Sequence, residues 1–459
     1  MEHHEPNTSI LSFHGGVGMV TGANFMLKNS TRTLLVDCGL IQGPHGAEIQ
    51  NWEPFAYDPK AIDTLFVTHS HIDHIGRIPK LVREGFRGRI VSTLETRALA
   101  SLMLEDAEAL LAREAKRYGK EPLYEKENIA EALSLWQTHP YGERYPLGDG
   151  ESVTLRDAGH ILGSAMIEYE RGGRKVLFTG DLGNTPTPLL RDTEKITDIS
   201  YLVMESVYGD TNHESSEERR AKLEAVVERA IARGGALIIP AFSLERTQVI
   251  LYELNNLVEE GKIPSVPVFL DSPLAIRITD VYKNAKKLFN SHVQSEISGG
   301  DDIFNFPKLK FTVATEESKD IVHTKNPKII IAGSGMSNGG RIIHHEIEYL
   351  PDPRSTILLV GYQSIGTQGR MIADGTKELR INGRVIRVNA DVEIIRGFSS
   401  HKDSDHLIEF VSNTKKTLKT AFVVMGEPKA SLFLVQRLRD YLGVTAVYPK
   451  LGESVEIAI

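Results

Sequence analysis

Four potential metal ligands fall within six consecutive residues of this 459-residue chain, directly after a short apolar segment. Leu65–Val67 has the composition of a buried strand, and the sequence His-Ser-His-Ile-Asp-His follows at positions 69 to 74. Alternate side chains of an extended segment share one face, so His69 and His71 should point to one site. A turn into a helix would bring Asp73 and His74 to a second site beside the first. Imidazole and carboxylate groups are typical zinc ligands, so this spacing favours a fold in which a strand ends in a metal site.

Three further residues of the same ligand types follow strand-like segments elsewhere in the chain. His160 lies among small residues, and Asp181 comes shortly after the apolar segment that ends at Phe178. Asp37 repeats this pattern, and we expect its carboxylate to orient a metal-binding histidine through a hydrogen bond. Each residue alone is typical of an ordinary loop. Together with the histidine-rich segment, they predict a two-metal site.

Composition limits the class of protein. Lys and Arg total 53 against 61 Asp and Glu, a formal net charge of −8, so any binding of nucleic acid requires a local basic groove. The single cysteine, Cys38, excludes an internal disulfide and a cysteine-rich zinc site. The chain has no apolar run of the roughly 18 residues that a membrane helix needs, and its first residues do not resemble a signal peptide. We therefore expect a cytoplasmic protein without membrane contact.

The order of predicted elements indicates an α/β fold with an inserted domain. Up to about residue 200, short strands are separated by glycines, with a hairpin signal at Arg171–Arg174. After Glu205, strands and amphipathic helices alternate, which is typical of a parallel sheet. A last strand–helix unit begins near Val392. Because the pattern changes without a linker, insertion of one domain into another is favoured over two consecutive domains.

The series formed by Asp37, the histidine-rich segment, His160 and Asp181 resembles the metallo-β-lactamase superfamily. Later segments are similar to the β-CASP nucleases, a group that includes RNase J and the nuclease subunit of the cleavage and polyadenylation specificity factor. These segments are Met204–Gly209, Ala241–Gln248, Asp271–Pro273, Gly333–Met336, Gly339–Arg341 and Ser399–His401. The resemblance covers nearly the whole chain, which would start directly with the lactamase-like domain and carry no preceding KH domains.

The resemblance also implies an architecture. An αββα metallo-β-lactamase sandwich is expected from residues 1–208 and 385–459, with an α/β β-CASP domain of residues 209–384 inserted between them. The metals would lie in the cleft that the two domains form. By analogy with the family, the chain is also expected to form a homodimer.

The roles of the site residues follow from the same resemblance. The implied ligands are His69, His71 and His160 for one zinc, Asp73 and His74 for a second, and Asp181 as a bridge between them. Glu205 and His401 match two β-CASP motifs. In relatives these two residues pair, so that the histidine can protonate the leaving oxygen, a task that suits the pKa of imidazole. Asp73, Asp181, Glu205 and His401 are therefore the implied catalytic residues.

The implied function is zinc-dependent hydrolysis of phosphodiester bonds in single-stranded RNA. A hydroxide that bridges the two ions would attack phosphorus and leave 5′-phosphate and 3′-hydroxyl ends. Endonucleolytic cleavage is expected first, with 5′–3′ exonucleolytic action as a further activity. Two alternatives stay open. One is a hydrolase of the same fold that acts on DNA or on a small phosphodiester, and the other is an RNA-binding paralogue with an impaired second metal site.

One position departs from the family pattern. Relatives that act on RNA usually carry a histidine before the Gly-Glu pair, where it binds the second zinc, whereas this chain has Met425 before Gly426 and Glu427. A thioether suits Cu(I) better than zinc, so the second zinc would lose one protein ligand and bind more weakly. Packing of Met425 beneath the site is an equally good interpretation. DNA-processing relatives also lack this histidine, which keeps DNA among the alternative substrates.

Residues suited to phosphate binding lie in segments that resemble the family. Guanidinium groups pair well with phosphate, and glycines allow close approach of backbone N–H groups. The candidates are Arg246, Ser334, Gly335, Gly340, Arg341 and Arg370. Any one of these arginines is also typical of a salt bridge, but the group as a whole favours a path for single-stranded RNA.

Overall fold

The computed structural model describes residues 8–43, 46–364 and 366–459, which form two compact units. Unit 1 contains the described residues up to Thr187, together with Arg191–Asn212 and His401–Ile459. Unit 2 contains Pro188–Leu190 and His213–Ser400. Unit 2 is therefore continuous in sequence apart from one short segment, and unit 1 resumes after it. The domain boundaries expected at 208/209 and 384/385 stay a prediction.

In the first part of unit 1, the described residues form eleven strands and four α-helices. The strands are β1 (Thr8–Gly15), β2 (Asn24–Lys28), β3 (Thr33–Val36), β4 (Thr64–Phe66), β5 (Arg89–Ser92), β6 (Trp136–Thr138), β7 (Arg144–Gly148), β8 (Glu151–Asp157), β9 (Ala165–Arg171), β10 (Arg174–Phe178) and β11 (Tyr201–Met204). The helices are α1 (Ile72–Ile75), α2 (Ile78–Arg83), α3 (Leu94–Tyr118) and α4 (Lys126–Ser134).

The elements of unit 2 and of the C-terminal part of unit 1 follow in chain order. Those of unit 2 are α5 (Ser216–Arg233), β12 (Ala236–Pro240), α6 (Arg246–Glu259), β13 (Val268–Asp271), α7 (Pro273–Asn284), α8 (Ser291–Ser298), β14 (Leu309–Phe311), α9 (Thr315–Asp320), β15 (Lys328–Ala332), α10 (Ile342–Tyr349), β16 (Thr356–Val360), α11 (Gln368–Ala373), β17 (Glu378–Ile381), β18 (Arg384–Arg387) and β19 (Asp391–Ile395). Unit 1 ends with α12 (Ser404–Ser412), β20 (Thr420–Val423), α13 (Pro428–Leu442), β21 (Ala446–Val447) and β22 (Ser454–Ala458).

Unit 1 is a four-layer sandwich. One sheet has the strand order β22-β1-β2-β3-β4-β5-β6, and the other has the order β21-β20-β11-β10-β9-β8-β7. Apolar side chains from both sheets, among them Phe13, Phe178 and Phe422, form one core between them. Helices α1 to α4 cover the outer face of the first sheet, and α12 and α13 cover that of the second. The predicted αββα arrangement is therefore confirmed.

In each sheet the strands from the middle to one edge are parallel, and this sets the position of the functional loops. Strands β3, β4, β5 and β6 run parallel in one sheet, and β10, β11, β20 and β21 run parallel in the other. In β3 and β4 every residue is buried, because apolar layers lie on both faces of the sheet. Parallel neighbours end at the same edge of a sheet, so the residues that follow them come close together.

Unit 2 contains the parallel sheet that the alternation of strands and helices predicted. Its six strands have the order β14-β13-β15-β12-β16-β19, and every neighbouring pair is parallel. A separate antiparallel hairpin is formed by β17 and β18. Among the described residues of both units, no helix combines the length and the apolar character needed to cross a membrane.

Candidate metal centre

The predicted ligands lie at the ends of neighbouring strands of unit 1. Strand β3 ends just before Asp37 and strand β4 just before the histidine-rich segment, in which His71 caps α1. In the other sheet, β10 is followed by Asp181, β11 by Glu205 and β20 by Met425, while His160 lies in the loop after β8. The topology of the sandwich thus collects side chains that are nearly four hundred residues apart in sequence, from Asp37 to Met425.

Three histidines and one carboxylate form the first set of ligand atoms. His71 Nδ1 lies 3.1 Å from His69 Nε2 and 3.2 Å from His160 Nε2. Asp181 Oδ2 lies 3.4 Å from His69 Nε2 and 3.5 Å from His160 Nε2. Ligand atoms of a tetrahedral zinc with bonds of about 2.0–2.1 Å are about 3.3 Å apart. These four atoms therefore have the spacing of one tetrahedral metal site.

Two buried atoms without hydrogen-bond partners mark a second position. His74 Nε2 and the other oxygen of the bridging carboxylate, Asp181 Oδ1, are 3.4 Å apart, and neither makes a hydrogen bond. Asp73 Oδ2 lies 3.9 Å from His74 Nε2. Buried polar atoms are normally paired, and an unpaired one costs free energy. A cation between these atoms would satisfy both, so the residues fit the second metal ion that the sequence predicts.

A hydrogen-bond network beneath the site sets the orientation of His74. His74 Nδ1 donates to Asp37 Oδ2 at 2.7 Å, and the Thr68 hydroxyl donates to the same oxygen at 2.7 Å. The Thr68 backbone N–H donates to Asp37 Oδ1 at 2.8 Å. Because Nδ1 donates to Asp37, Nε2 is the nitrogen that faces the second metal position, where a metal ion would take the place of its proton. Asp37 therefore lies next to a candidate ligand, and its role in orienting that ligand stays a prediction.

Thr68 orients a candidate metal ligand, a role that the sequence analysis did not predict. Its hydroxyl also lies 3.0 Å from His69 Nδ1 and accepts a hydrogen bond from that nitrogen, which leaves His69 Nε2 free for a metal. Its position between β4 and the first histidine of the segment is the only sequence signal that could have revealed this role. A hydroxyl that orients metal ligands is not itself a typical ligand, so the pattern of histidines and carboxylates does not point to it.

Burial and neighbouring charges shift the pKa values in this site. Burial, reinforced by neighbouring imidazoles, lowers the pKa of His69 and holds those of His71 and His160 well below the usual range. Burial acts in the same direction on His74, but the carboxylates of Asp181 and Asp37 outweigh it and raise its pKa. The three histidines of the first set are therefore neutral near pH 7, as metal ligands must be.

Glu205 and His401 form a pair beside the first ligand set. Glu205 is fully buried and its carboxylate lies 3.2–3.3 Å from His401 Nδ1, while the Leu182 N–H donates to the same carboxylate. His401 Nδ1 also lies 4.0 Å from Asp181 Oδ2. Burial lowers the pKa of His401, but Glu205 and then Asp181 raise it to about 9. This arrangement orients a protonated imidazole beside the candidate metal ligands.

Met425 packs into the core between the two sheets. Its side chain is 1% exposed and belongs to the same apolar cluster as Phe25 and Val424. The backbone has φ of +46°, and its N–H donates to the Gly16 carbonyl at 2.6 Å while its carbonyl accepts from Ser206 N–H. The geometry is that of a packed residue at the edge of the sheet that carries Glu205. Its effect on a second metal stays a prediction.

The candidate phosphate-binding residues all lie in unit 2. Arg246 is the first residue of α6, Arg370 lies in α11, and the loop between β15 and α10 carries the others. Within that loop the Ser334 hydroxyl accepts from the Asn338 N–H at 3.0 Å. Arg370 is bonded to Asp374 at 2.9 Å. These contacts hold the residues within unit 2, and their binding of phosphate stays a prediction.

Arg341 is part of a buried network around Asp271. It donates to Asp271 Oδ1 at 2.7 Å and to the carbonyls of Thr312 and Val313 at 3.0 and 2.7 Å. The other oxygen, Asp271 Oδ2, accepts from His345 Nε2 at 2.8 Å. Burial would raise the pKa of Asp271, but these hydrogen bonds outweigh it and hold the pKa below its usual value. The guanidinium of Arg341 therefore anchors the end of β13 to α10.

Comparison with known proteins agrees with this geometry. Family models match residues 18–240 as the metallo-β-lactamase superfamily, residues 247–372 as a β-CASP domain and residues 385–449 as a Zn-dependent metallo-hydrolase RNA specificity domain. A ribonuclease of Thermus thermophilus is 34% identical over 96% of this chain and 99% of its own length. An RNase J-like protein of Methanocaldococcus jannaschii is 30% identical over 98% of this chain and all of its own length.

Two further likenesses extend the comparison. The transcription termination factor FttA of Methanosarcina mazei is 31% identical over 95% of this chain and 68% of its own length. A crystal structure of a protein of unknown function from Enterococcus faecalis superposes with a TM-score of 0.57 at 12% identity, covering 98% of this chain and all of that one, and shows likeness of fold alone.

The chain belongs to the β-CASP ribonuclease group of the metallo-β-lactamase superfamily. The resemblance seen in the sequence is thereby confirmed, and with it the prediction of an enzyme from a metal-dependent hydrolase family. The histidine and aspartate cluster that the structure gathers has the composition of a metal site. The RNA specificity match at residues 385–449 supports RNA binding.

Proposed function

We propose that this chain is a ribonuclease that uses two zinc ions to hydrolyse phosphodiester bonds in single-stranded RNA. Cleavage is endonucleolytic, with 5′–3′ exonucleolytic action as a further mode, and it leaves 5′-phosphate and 3′-hydroxyl ends. The observation that carries this proposal is the contact between His74 Nε2 and Asp181 Oδ1, two buried atoms 3.4 Å apart that make no hydrogen bond and lie beside a set of four ligand atoms. The names of the Thermus and Methanocaldococcus relatives support RNA as the substrate.

The donor set favours zinc over a harder ion. Four imidazoles with two carboxylates suit a borderline metal, whereas magnesium and calcium prefer oxygen ligands throughout. His69, His71 and His160 would hold one ion, and Asp73 and His74 the other, with one oxygen of Asp181 directed at each. Two ions bound there would supply Lewis acidity at the phosphate and activation of the attacking water.

The remaining work of the reaction falls to Glu205 and His401. Glu205 accepts a hydrogen bond from His401 Nδ1, which turns Nε2 away from the carboxylate. A proton on Nε2 is then available to the leaving oxygen of the RNA. Glu205 is buried and is also held by the Leu182 N–H. Its carboxylate therefore stays in place and fixes the orientation of the imidazole ring. His401 is thus the proposed general acid and Glu205 its positioning residue.

Cleavage of a labelled single-stranded RNA tests the proposal. The purified protein is assayed with and without a chelator, and after zinc is restored, and end analysis of the products identifies the phosphate position. Asp181→Asn, purified in parallel, controls for contaminating nuclease, because it removes charge from the bridging position while conserving shape. We expect chelator-sensitive cleavage that zinc restores and that the variant reduces at least 10²-fold.

The same assay separates the rival functions. Single-stranded DNA and a cyclic nucleotide are incubated in parallel with the RNA. Faster metal-dependent hydrolysis of either one would replace RNA as the proposed substrate. Binding of RNA without metal-dependent products at any salt concentration would refute the ribonuclease and identify a binding protein.

A further inference from the structure

A buried lysine without a carboxylate partner lies next to the proposed general acid. Lys402 is 5% exposed, and its ammonium donates to the Gly183 carbonyl at 2.7 Å and to the Thr185 hydroxyl at 2.8 Å. Among the described residues it forms no ion pair. Burial is costly for an ammonium group, and here it lowers the pKa of Lys402 to about 8 although surrounding carboxylates, Asp192 and Glu205 first, act to raise it. Because burial of the Lys402 ammonium costs free energy, we looked for a function of its two hydrogen bonds in the surrounding structure.

The acceptors of Lys402 lie where three functional segments meet. Gly183, two residues after Asp181, donates its N–H to the Ala158 carbonyl at 2.8 Å, in the segment that leads to His160. Gly183 also forms an antiparallel bridge with His401, and the Lys402 N–H donates to the Leu182 carbonyl at 2.8 Å. The ammonium therefore binds the same short segment that its own backbone pairs with.

The packing at Gly183 is close. A Cβ at this position would lie 1.9 Å from the Gly159 carbonyl oxygen, so the segments after β8 and β10 touch through their backbones. The Gly183 carbonyl accepts from Thr193 Oγ1 at 3.2 Å as well as from Lys402. Of these two donors only the ammonium lies on the segment of His401. Loss of the ammonium would leave the backbone hydrogen bonds between the two segments and the indirect link through Glu205, which binds the Leu182 N–H and His401 Nδ1.

We propose that Lys402 is a positioning residue that fastens the segment after Asp181 to the segment of His401 and so fixes the general acid relative to the metal ligands. An ammonium suits this task because it offers three donors on a flexible stem and here serves two acceptors at once. The inference rests on the proposed function for its catalytic consequence. A displacement of about 1 Å at a catalytic group can lower a rate by up to about 10²-fold.

Lys402→Met tests the proposal, because methionine retains much of the apolar stem and removes the donor. We expect kcat for RNA cleavage to fall about 10–100-fold, KM to change less than about threefold, and zinc content to stay at the wild-type value. Hydrogen exchange should become at least about tenfold faster at the amides of Gly183 and Lys402 itself, a readout that does not require activity.

Lys328→Met is the matched control. Lys328, in unit 2, is 2% exposed and donates to the carbonyls of Ile321 and Thr324, each at 2.7 Å. The control loses a comparable buried ammonium and should lower thermal stability while kcat and the exchange of Gly183 stay unchanged. Thr185→Val removes one acceptor and leaves the lysine in place. This variant replaces Lys402→Met as the test if Lys402→Met does not fold, and its kcat should fall about three- to tenfold.

The outcomes are distinct. Wild-type kcat and wild-type amide exchange in a folded Lys402→Met variant, or wild-type kcat in Thr185→Val if the first does not fold, would overturn the proposal. An equal loss of kcat in Lys328→Met would also overturn it, since the effect would then be one of general stability. If the wild type cleaves no RNA while exchange is faster only in Lys402→Met, the proposed function fails and the fastening role stands.

Discussion

Replacement of Asp37 by asparagine should weaken one metal ion selectively. The buried carboxylate accepts from the Thr68 N–H with one oxygen, and from the Thr68 hydroxyl and His74 Nδ1 with the other. Asparagine has one acceptor atom in place of two. If its NH₂ faces His74, Nδ1 must become the acceptor, and the imidazole proton moves to Nε2, which then points at Asp181 and cannot bind a metal.

The other orientation of the amide is also unfavourable. Its NH₂ would then face the Thr68 N–H, which is fixed in the backbone, and two donors would meet in a buried position. Both orientations of the amide cost free energy. In the first one, the proton on His74 Nε2 competes directly with a metal ion at the second position. Loss of a residue that orients a metal ligand typically weakens binding about 10–100-fold, which corresponds to about 1.4–2.8 kcal/mol.

Competition titration against a chromophoric chelator measures both zinc affinities of the wild type and of Asp37→Asn. We expect the tighter site to be nearly unchanged, the weaker site to lose the stated factor, and kcat to recover when zinc is in excess. Asp271→Asn is the control, since Asp271 is equally buried and binds Arg341 and His345 in unit 2. If Asp37→Asn kept both zinc affinities within twofold and lost only stability, as the control should, the tautomer argument would be refuted.

Three further predictions follow from single residues. His401→Ala should lower kcat at least about 10²-fold without loss of zinc, because it removes the proton donor but no proposed ligand; loss of metal with activity would contradict this role. Met425→His should strengthen binding of the second zinc and raise the rate, with Met425→Leu as the control, and unchanged metal content and rate would show that the position only packs. Burial raises the pKa of Glu346 to about 7, so the carboxyl binds its proton more tightly in the folded than in the unfolded chain. Stability is therefore lost as the pH rises from about 4.5 to above 7, by on the order of 3 kcal/mol, and Glu346→Gln should flatten this dependence in denaturant unfolding at pH 5 and pH 8. Parallel pH profiles of variant and wild type would contradict the assignment.

Much of the candidate metal centre could be predicted because its signals are local in the sequence. The spacing of His69 and His71 follows from an extended backbone, and each of Asp37 and Asp181 follows an apolar strand. Strands that read as fully apolar are those of parallel sheets, whose ends meet at one edge. The predicted residues therefore lie together in unit 1, although the sequence shows neither which nitrogen faces the metal nor which carboxylate oxygen is left unpaired.

Charged residues whose partners are distant in sequence could not be predicted in this way. Lys402 stands between His401 and Asp403 and would be assigned to an exposed helix start, yet its acceptors lie more than two hundred residues earlier. Arg341 looks like a phosphate ligand beside glycines, and its guanidinium is bonded to Asp271 and two carbonyls. The charge of a side chain can be read from the sequence. Whether a carbonyl, a carboxylate or solvent accepts its hydrogen bonds depends on the fold.

The segments of the candidate metal centre pack against one another through backbone contacts that only glycine permits. A Cβ at Gly39 would lie 1.5 Å from the Asp73 carbonyl oxygen, just as one at Gly183 would strike Gly159. Neither glycine has a positive φ, so both are needed for space and not for an unusual backbone conformation. Gly39 brings the segment after β3 against α1, where the Cys38 N–H donates to the His74 carbonyl at 2.8 Å. The ligands are thus held by backbone as well as by side chains, which keeps two unpaired atoms facing each other where a flexible site would let them turn to solvent.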